Sequence, residues 1–350
     1  MNAVLLYGKD DIRFDSNFPI PEINDDEILL RTKSSNICGT DLRMYFNGYK
    51  NVDESNPLIL GHEFSGVIEK VGKNVSSLFT KGMRIVVAPN IGCSNCDLCI
   101  SGNNHLCSDY KAFGINMHGA FADYVRIPKE AIQQGNLIEI PESMSFQEAS
   151  LAEPLSCVLN TFEKVGIRLG DVVLVMGAGP IGIMHAMMAK KCGAAKVIIT
   201  DLSQERLDRS RKIDPDFITL DAQDLKREIM KLTNGKGVTV CITANPSPKS
   251  QIDSLEMLAT NGRVSFFGGI PKGSDLSGFD TNLIHYKQLV VTGTTRQSLM
   301  QFKKTLLLIE NKLIDTQKLV THSHSLSELD KGFMKMKKGE GIKHTLLFVK

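Results

Sequence analysis

The stretch DVVLVMGAGPIG, residues 171–182, constrains the fold of this 350-residue chain more than any other. An apolar, strand-like run leads into Gly177-Ala-Gly179-Pro-Ile-Gly182, and a helical run from Pro180 to Cys192 follows. A GxGxxG pattern is informative only in that strand-then-helix setting. Gly177 allows the tight turn, Gly179 lets the backbone approach a pyrophosphate, and Gly182 permits close helix–sheet packing. The helix N-terminus, opened by Pro180 and Ile181, faces the phosphates with its free N–H groups. Asp201 closes the next strand, KVIITD, 19 residues beyond Gly182, where an acid accepts hydrogen bonds from the adenosine ribose hydroxyls. A carboxylate there repels a 2′-phosphate, so NAD is expected over NADP. Arg206 lies nearby, as a residue type that accommodates such a phosphate or as a solvated helix-face residue.

From Asp171 onward, strand-like and helical runs alternate. KVIIT is followed by a helical Gln204–Lys212, then VTVCIT (238–243), a helical 249–259 and RVSFFG (263–268). Such alternation marks βαβ units and a parallel sheet. Residues 1 to about 150 read differently, as short β-like runs punctuated by Gly, Pro and Asn: EILLRT (27–32), GVIEKVG (66–72), RIVVAP (84–89) and FADYVRIP (121–128). That spacing predicts a mostly β domain with loop insertions. After about 295, two helical stretches, 298–312 and 326–338, precede the strand-like HTLLFVK.

The balance of 41 Lys+Arg against 39 Asp+Glu is too even for a nucleic-acid or membrane-surface binder. No apolar run approaches the ~18 residues of a membrane span. Asp10 and Asp11 interrupt the N-terminus before a signal segment forms. A cytoplasmic protein is expected, with its eight cysteines serving as metal ligands or free thiols rather than disulfides. Cys157, Cys192 and Cys241 sit in apolar contexts and are expected to be buried.

Two clusters carry metal chemistry. Cys38, in CGTD, and His62-Glu63, in GHE, offer a thiolate, an imidazole and a carboxylate, a donor set that suits zinc. Three protein ligands leave a fourth position for water or substrate, the mark of catalytic zinc. Cys93, Cys96, Cys99 and Cys107 are spaced C-x2-C-x2-C-x7-C on a loop containing Gly92 and Gly102. Four thiolates fill a tetrahedral zinc and leave no room for reaction, so this site reads as structural. An iron–sulfur cluster or disulfides are the alternatives.

Together these motifs, with LGHEFSGVIEKVG (60–72), AEPLSC (152–157), TDLSQERL (200–207), GTTR (293–296) and LVTHSHSL (319–326), resemble the medium-chain zinc-dependent alcohol/polyol dehydrogenase family, most closely its sorbitol (L-iditol) dehydrogenase branch. The resemblance spans essentially the whole chain. It implies an α/β protein in which a GroES-like β domain with both zincs (1–153) is followed by a Rossmann doubly wound parallel sheet domain that binds NAD (154–293). Residues 294–350 are a C-terminal return completing the first domain. By similarity, Cys38, His62 and Glu63 or Glu153 hold the catalytic zinc, Asp41 orients His62, and Thr40 takes part in proton relay. Thr294, Thr295 and Ile270 join Gly177, Gly179, Pro180, Ile181, Gly182, Asp201 and Arg206 in cofactor binding. Arg296 matches a polyol-binding arginine.

Three positions depart from the branch. Arg43 stands where many relatives have a relay histidine, and a guanidinium cannot be deprotonated in a protein. Gln297 replaces an aromatic hydroxyl, and Met44 departs from an aromatic pattern. The implied substrate is a polyol or a polyol phosphate such as galactitol-1-phosphate, oxidised to a ketose. 2,3-Butanediol or threonine is the alternative within the family, and a non-catalytic nucleotide-binding protein the alternative outside enzymes. A homodimer or homotetramer, with neither nucleic acid nor membrane as partner, completes the expectation.

Overall fold

Alternating apolar residues in Ile28–Asn36 bury on both faces because the strand is paired along its whole length. It runs antiparallel to Glu63–Val71, to Tyr124–Ile127 and to Lys343–Leu347. The last of these comes from the far end of the chain and places Val320–His324 beside it in parallel. On the other side, Arg84–Val87 and Leu137–Glu139 extend the sheet. The computed structural model describes residues 1–271, 273–274 and 278–348. It divides the chain into two units, residues 1–156 with 297–350, and residues 157–296.

Two apolar clusters fill the first unit. Ile28, Leu30, Phe64, Ile68, Ile85, Val87 and Phe113 form one. Leu5, Leu6, Ile37, Met44, Phe121, Phe333 and Leu346 form the other. The second cluster seats the helix Gly39–Asn47, which the residue pattern did not announce. Its N-cap is Cys38, whose N–H donates to Asp41 Oδ2 at 2.8 Å. Asp41 supplies the acidic first-turn side chain that a helix start favours.

The second unit is a six-stranded parallel sheet. Its spatial order is Ile218–Asp221, Lys196–Asp201, Val172–Met176, Val238–Thr243, Leu258–Phe266, Val290–Gly293. Numbered along the chain within this unit, that is 3-2-1-4-5-6, and sheets of this order bind ligands at the crevice where the order reverses. The helix expected over 249–259 runs Pro248–Met257, and Leu258 already opens the next strand. The strand-like HTLLFVK is seen as Lys343–Leu347; residues 349 and 350 lie outside the described residues. Among the described residues no helix is long and apolar enough to cross a membrane.

One cysteine expectation needs correcting. Cys241 is buried and Cys157 half-buried, but Cys192 is exposed, because it caps the C-terminus of the helix Pro180–Lys191 instead of lying on its inner face.

Buried imidazoles give the fold an acid limit. His185 lies between Phe162, stacked at 5.8 Å, and Phe267, edge-on at 4.9 Å, and burial pushes it down to about 3. Burial also lowers His344 to about 4, in company with His322, His324 and Lys335; His324 Nε2 and His344 Nδ1 are 3.0 Å apart. Below the ordinary histidine value of 6.5, the unfolded chain takes up protons that the folded chain refuses. Stability is therefore lost as pH falls from about 6.5 toward 4. Thermal melts across that range should show a falling Tm, and His344→Gln should flatten the slope whatever its effect at neutral pH.

Candidate active site

Gly61 has φ +92, and a Cβ there would lie 2.5 Å from the Phe121 ring. This turn ends just before the strand Glu63–Val71, so His62 stands outside the regular extended backbone. Adjacent side chains in a strand point to opposite faces; the turn removes that restriction. One donor atom each from Cys38, His62 and Glu63 lies within 4.8 Å of the other two. Donors around a tetrahedral zinc stand roughly 3.3–3.8 Å apart, so this set fits such an ion with small adjustments. Glu153 does not join the group within that distance.

Buried charged groups surround these three residues. Asp41 is fully buried, and its Oδ1 faces His62 Nδ1 at 3.5 Å. Neither atom has a well-formed hydrogen bond. An imidazole that ligates through one nitrogen presents the other N–H to a carboxylate in this manner. Lys343, only 3% exposed, sets its ammonium 2.6 Å from both Glu63 oxygens, and the Oε1 contact alone has hydrogen-bond direction. It also donates to the Ile37 carbonyl at 3.1 Å. Burial alone would push the ammonium down, but Glu63, followed by Cys38, outweighs it and holds the ammonium above its ordinary value. Glu153 is 8% exposed. Burial raises its carboxyl to about 7, His62 and Lys343 opposing and Glu63 adding repulsion. Gln297 Nε2 donates to Glu153 Oε1 at 3.1 Å.

Thr40 is half-buried in the first turn of the helix Gly39–Asn47. Arg43, one turn on and exposed, reaches Thr40 Oγ1 through Nη2 at 3.4 Å. Among the described residues no carboxylate pairs with it.

The four cysteine sulfurs also lie within 4.8 Å of one another. Cys93 and Cys99 are 4.0 Å apart and Cys96 and Cys107 3.8 Å. These separations match the ~3.8 Å expected around one zinc and are far from the ~2.05 Å of a disulfide. A Cβ on Gly92 would come within 2.5 Å of the Cys99 sulfur, so the glycine makes room for the cluster. Backbone N–H groups of Asn95 and Cys96 hold the Cys93 thiol down at about 7. Burial, opposed by the Ser94 N–H and aided by the crowded thiols, pushes Cys99 up to about 12. A shared cation would let all four ionise together.

In the parallel-sheet unit the three glycines divide their work. A Cβ on Gly182 would sit 1.7 Å from the Gly177 carbonyl, and one on Gly177, at φ +118, 2.9 Å from the Ala244 carbonyl. A Cβ on Gly179 would meet nothing within 4 Å, so the protein itself does not exclude a side chain there; the open space suits a ligand's close approach. Gly179 is the N-cap of the helix that Pro180 and Ile181 open. Asp201 accepts from Ala178 N at 2.8 Å and Ser203 N at 3.0 Å, with Arg206 Nη1 3.6 Å away. Thr294 and Thr161 hydroxyls are 2.8 Å apart, and Asn160 donates to the Thr295 and Arg296 carbonyls. Arg296 takes φ 57, an uncommon conformation for a residue with a side chain. Ile270 is half-buried after the strand Leu258–Phe266.

No motif points to Lys343 or Asn90, and Gln297 is marked by the sequence only as a departure from the branch's aromatic hydroxyl. Lys343 follows an unremarkable Gly-Ile pair, and only its position in a strand that returns to the first sheet brings it to Glu63.

Residues 24–141 match the Alcohol dehydrogenase GroES-like domain family and residues 180–311 the Zinc-binding dehydrogenase family. L-threonine 3-dehydrogenase of Bacillus licheniformis is 32% identical over 325 residues, covering 92% of this chain and 91% of that protein. Sorbitol dehydrogenase of Bacillus subtilis is 30% identical over 331 residues, covering 94% and 91%. Among solved structures, a protein of Sinorhizobium meliloti 1021 described as a zinc-binding dehydrogenase, bound to NADP, superposes with a TM-score of 0.90. It is 26% identical and covers 99% of each chain.

Proposed function

This chain belongs to the zinc-dependent medium-chain alcohol and polyol dehydrogenase family, and from that premise we propose that it oxidises a secondary alcohol of a polyol or polyol phosphate to a ketose, with NAD as acceptor. The observation that carries the reading is the convergence of Cys38, His62 and Glu63 beside a buried Glu153.

In this reading Cys38 and His62, with Glu63 or Glu153, hold a catalytic zinc, and the four-cysteine lobe holds a structural one. Zinc, when bound, supplies the acidity that lets an alcohol lose its proton near neutral pH. The nicotinamide of NAD supplies the hydride acceptor. The Thr40 hydroxyl accepts the substrate proton as it gives up its own. Arg43 beside it is a permanent cation and cannot pass that proton on, so the exit runs through water to Glu153. Arg296 binds substrate hydroxyls. Gly177, Gly179 and Gly182 with the helix start at Pro180 and Ile181 take the pyrophosphate, Asp201 the adenosine ribose, and Ile270, Thr294 and Thr295 the remainder of the cofactor. A cytoplasmic homodimer or homotetramer is part of the same proposal.

A second reading has support of its own. Arg43 lacks a carboxylate partner among the described residues, and a guanidinium there suits a substrate phosphate or carboxylate. The 32% identity to a threonine dehydrogenase favours the carboxylate; vicinal diols such as 2,3-butanediol would gain nothing from Arg43. NADH formation against free polyols, polyol phosphates, threonine and 2,3-butanediol, with zinc measured on the same sample, decides among them. Turnover of threonine alone would replace the polyol reading, and no turnover with no zinc would revive the non-catalytic one.

Cofactor choice rests on Asp201. The native chain should prefer NAD, and Asp201→Arg should move the NAD:NADP ratio of kcat/KM toward NADP by about 10–100-fold, the loss of about 1.5–3 kcal/mol of charge-assisted bonding. Both cofactors should lose efficiency, because the carboxylate also fixes Ala178 N and Ser203 N. An unchanged ratio would remove Asp201 from ribose recognition.

A further inference from the structure

A hydrogen-bonded chain leads from the four-cysteine lobe to Glu153. Gln297, 1% exposed, donates through Nε2 to Glu153 Oε1 at 3.1 Å. The backbone carbonyl of Gln297 accepts from Asn90 Nδ2 at 2.9 Å. Asn90 is buried on the two-residue strand Asn90–Ile91, which runs directly into Gly92 and Cys93. Tyr110 OH donates to Asn90 Oδ1 at 2.7 Å, and the Asn90 carbonyl accepts from Asn104 Nδ2 at 3.0 Å. Asn104 opens the single-turn 3-10 helix that ends at Cys107, and its Oδ1 accepts from Leu299 N at 3.2 Å. Two asparagines, one just before the cysteine cluster and one within it, therefore grip the segment 297–299 at both ends.

We infer that the four-cysteine lobe has a catalytic consequence: it positions Glu153 through Asn90, Asn104 and Gln297, which are positioning residues. The inference rests on the place proposed for Glu153 in the reactive centre beside Cys38, His62 and Glu63. Gln297 is suited to the task because a neutral amide orients a carboxylate oxygen without adding a charge beside the donor set, and its main chain is fixed by a partner from the lobe. The four sulfurs set the loop that carries Asn104, and so set where Gln297 stands.

Two readouts test this, one of them independent of substrate. Amide hydrogen exchange followed by mass spectrometry should show faster exchange at residues 150–156 and 297–299 in Asn104→Ala than in the native chain, with zinc content unchanged. Unchanged exchange at 150–156 overturns the inference, whatever the substrate proves to be. With the best substrate of the panel, Gln297→Met and Asn104→Ala should each lower kcat by about 10–100-fold, the usual loss when a partner behind a reactive group is removed, with little change in KM. In a Glu153→Ala background neither substitution should cost more, since nothing remains to position. Losses that multiply in that background also overturn the inference. If Glu153→Ala itself leaves kcat intact, the proposed role of Glu153 fails and the catalytic consequence is overturned with it, the exchange result then standing as a purely structural link.

Discussion

Cys38→Ala is expected to lower kcat/KM by about a thousandfold or more and to reduce bound zinc from two ions per chain to one. In the proposed site the sulfur is the soft donor, and without it an imidazole and a carboxylate already facing Lys343 would remain to hold the ion. Metal acidification of the alcohol is worth several kcal/mol of charge stabilisation, and about 4 kcal/mol corresponds to a factor of about a thousand. Thermal stability should change little, because Cys38 is only half-buried and caps its helix through its backbone N–H. Zinc analysis, initial rates and a melt on the same preparation separate the outcomes. A variant that keeps two zinc ions and full activity would show that Cys38 is no ligand.

Lys343→Met carries the second large effect, and it is on stability. In metal-free protein it leaves the Glu63 carboxylate buried and uncompensated, with both oxygens facing the side chain that replaced an ammonium 2.6 Å away. Removing one partner of a buried ion pair costs about 3–5 kcal/mol, a large part of the about 5–15 kcal/mol by which domains are usually stable. The double variant Glu63→Gln with Lys343→Met should recover much of the loss, because no lone charge is left inside. Denaturant titrations of the native chain and the two variants measure the difference. Equal stability of the single and double variants would mean that Glu63 already takes up a proton or a metal once Lys343 is gone.

What could be read from the sequence was what local spacing dictates. The cysteines of the lobe are close in sequence, and Gly177, Gly179 and Gly182 stand on one strand–turn–helix connection, so their geometry is nearly independent of the rest of the chain. The parallel sheet was legible for the same reason, through apolar runs of strand and helix period in turn. The pairing of His62 with Glu63 needed a turn that Gly61 supplies. By contrast, Lys343 is 280 residues from Glu63, Asn90 is 207 from Gln297, and Gln297 is 144 from Glu153. No periodicity encodes those meetings; they follow from the chain's re-entry into the first unit from Gln297 onward. The helix Gly39–Asn47 escaped notice because half of its residues are polar, and its start is marked by a cysteine instead of the usual Ser, Thr, Asn or Asp.

That returning strand orders events during synthesis. Residues 343–347 leave the ribosome after every residue of the parallel-sheet unit, which has all its own strands by Gly293 and is free to form as each βαβ element emerges. The other unit must meanwhile wait with Ile28–Asn36 lacking one neighbour and Glu63 lacking its counter-charge. In the nascent chain, the parallel-sheet half matures first, and the half that carries Cys38, His62 and Glu63 is sealed last.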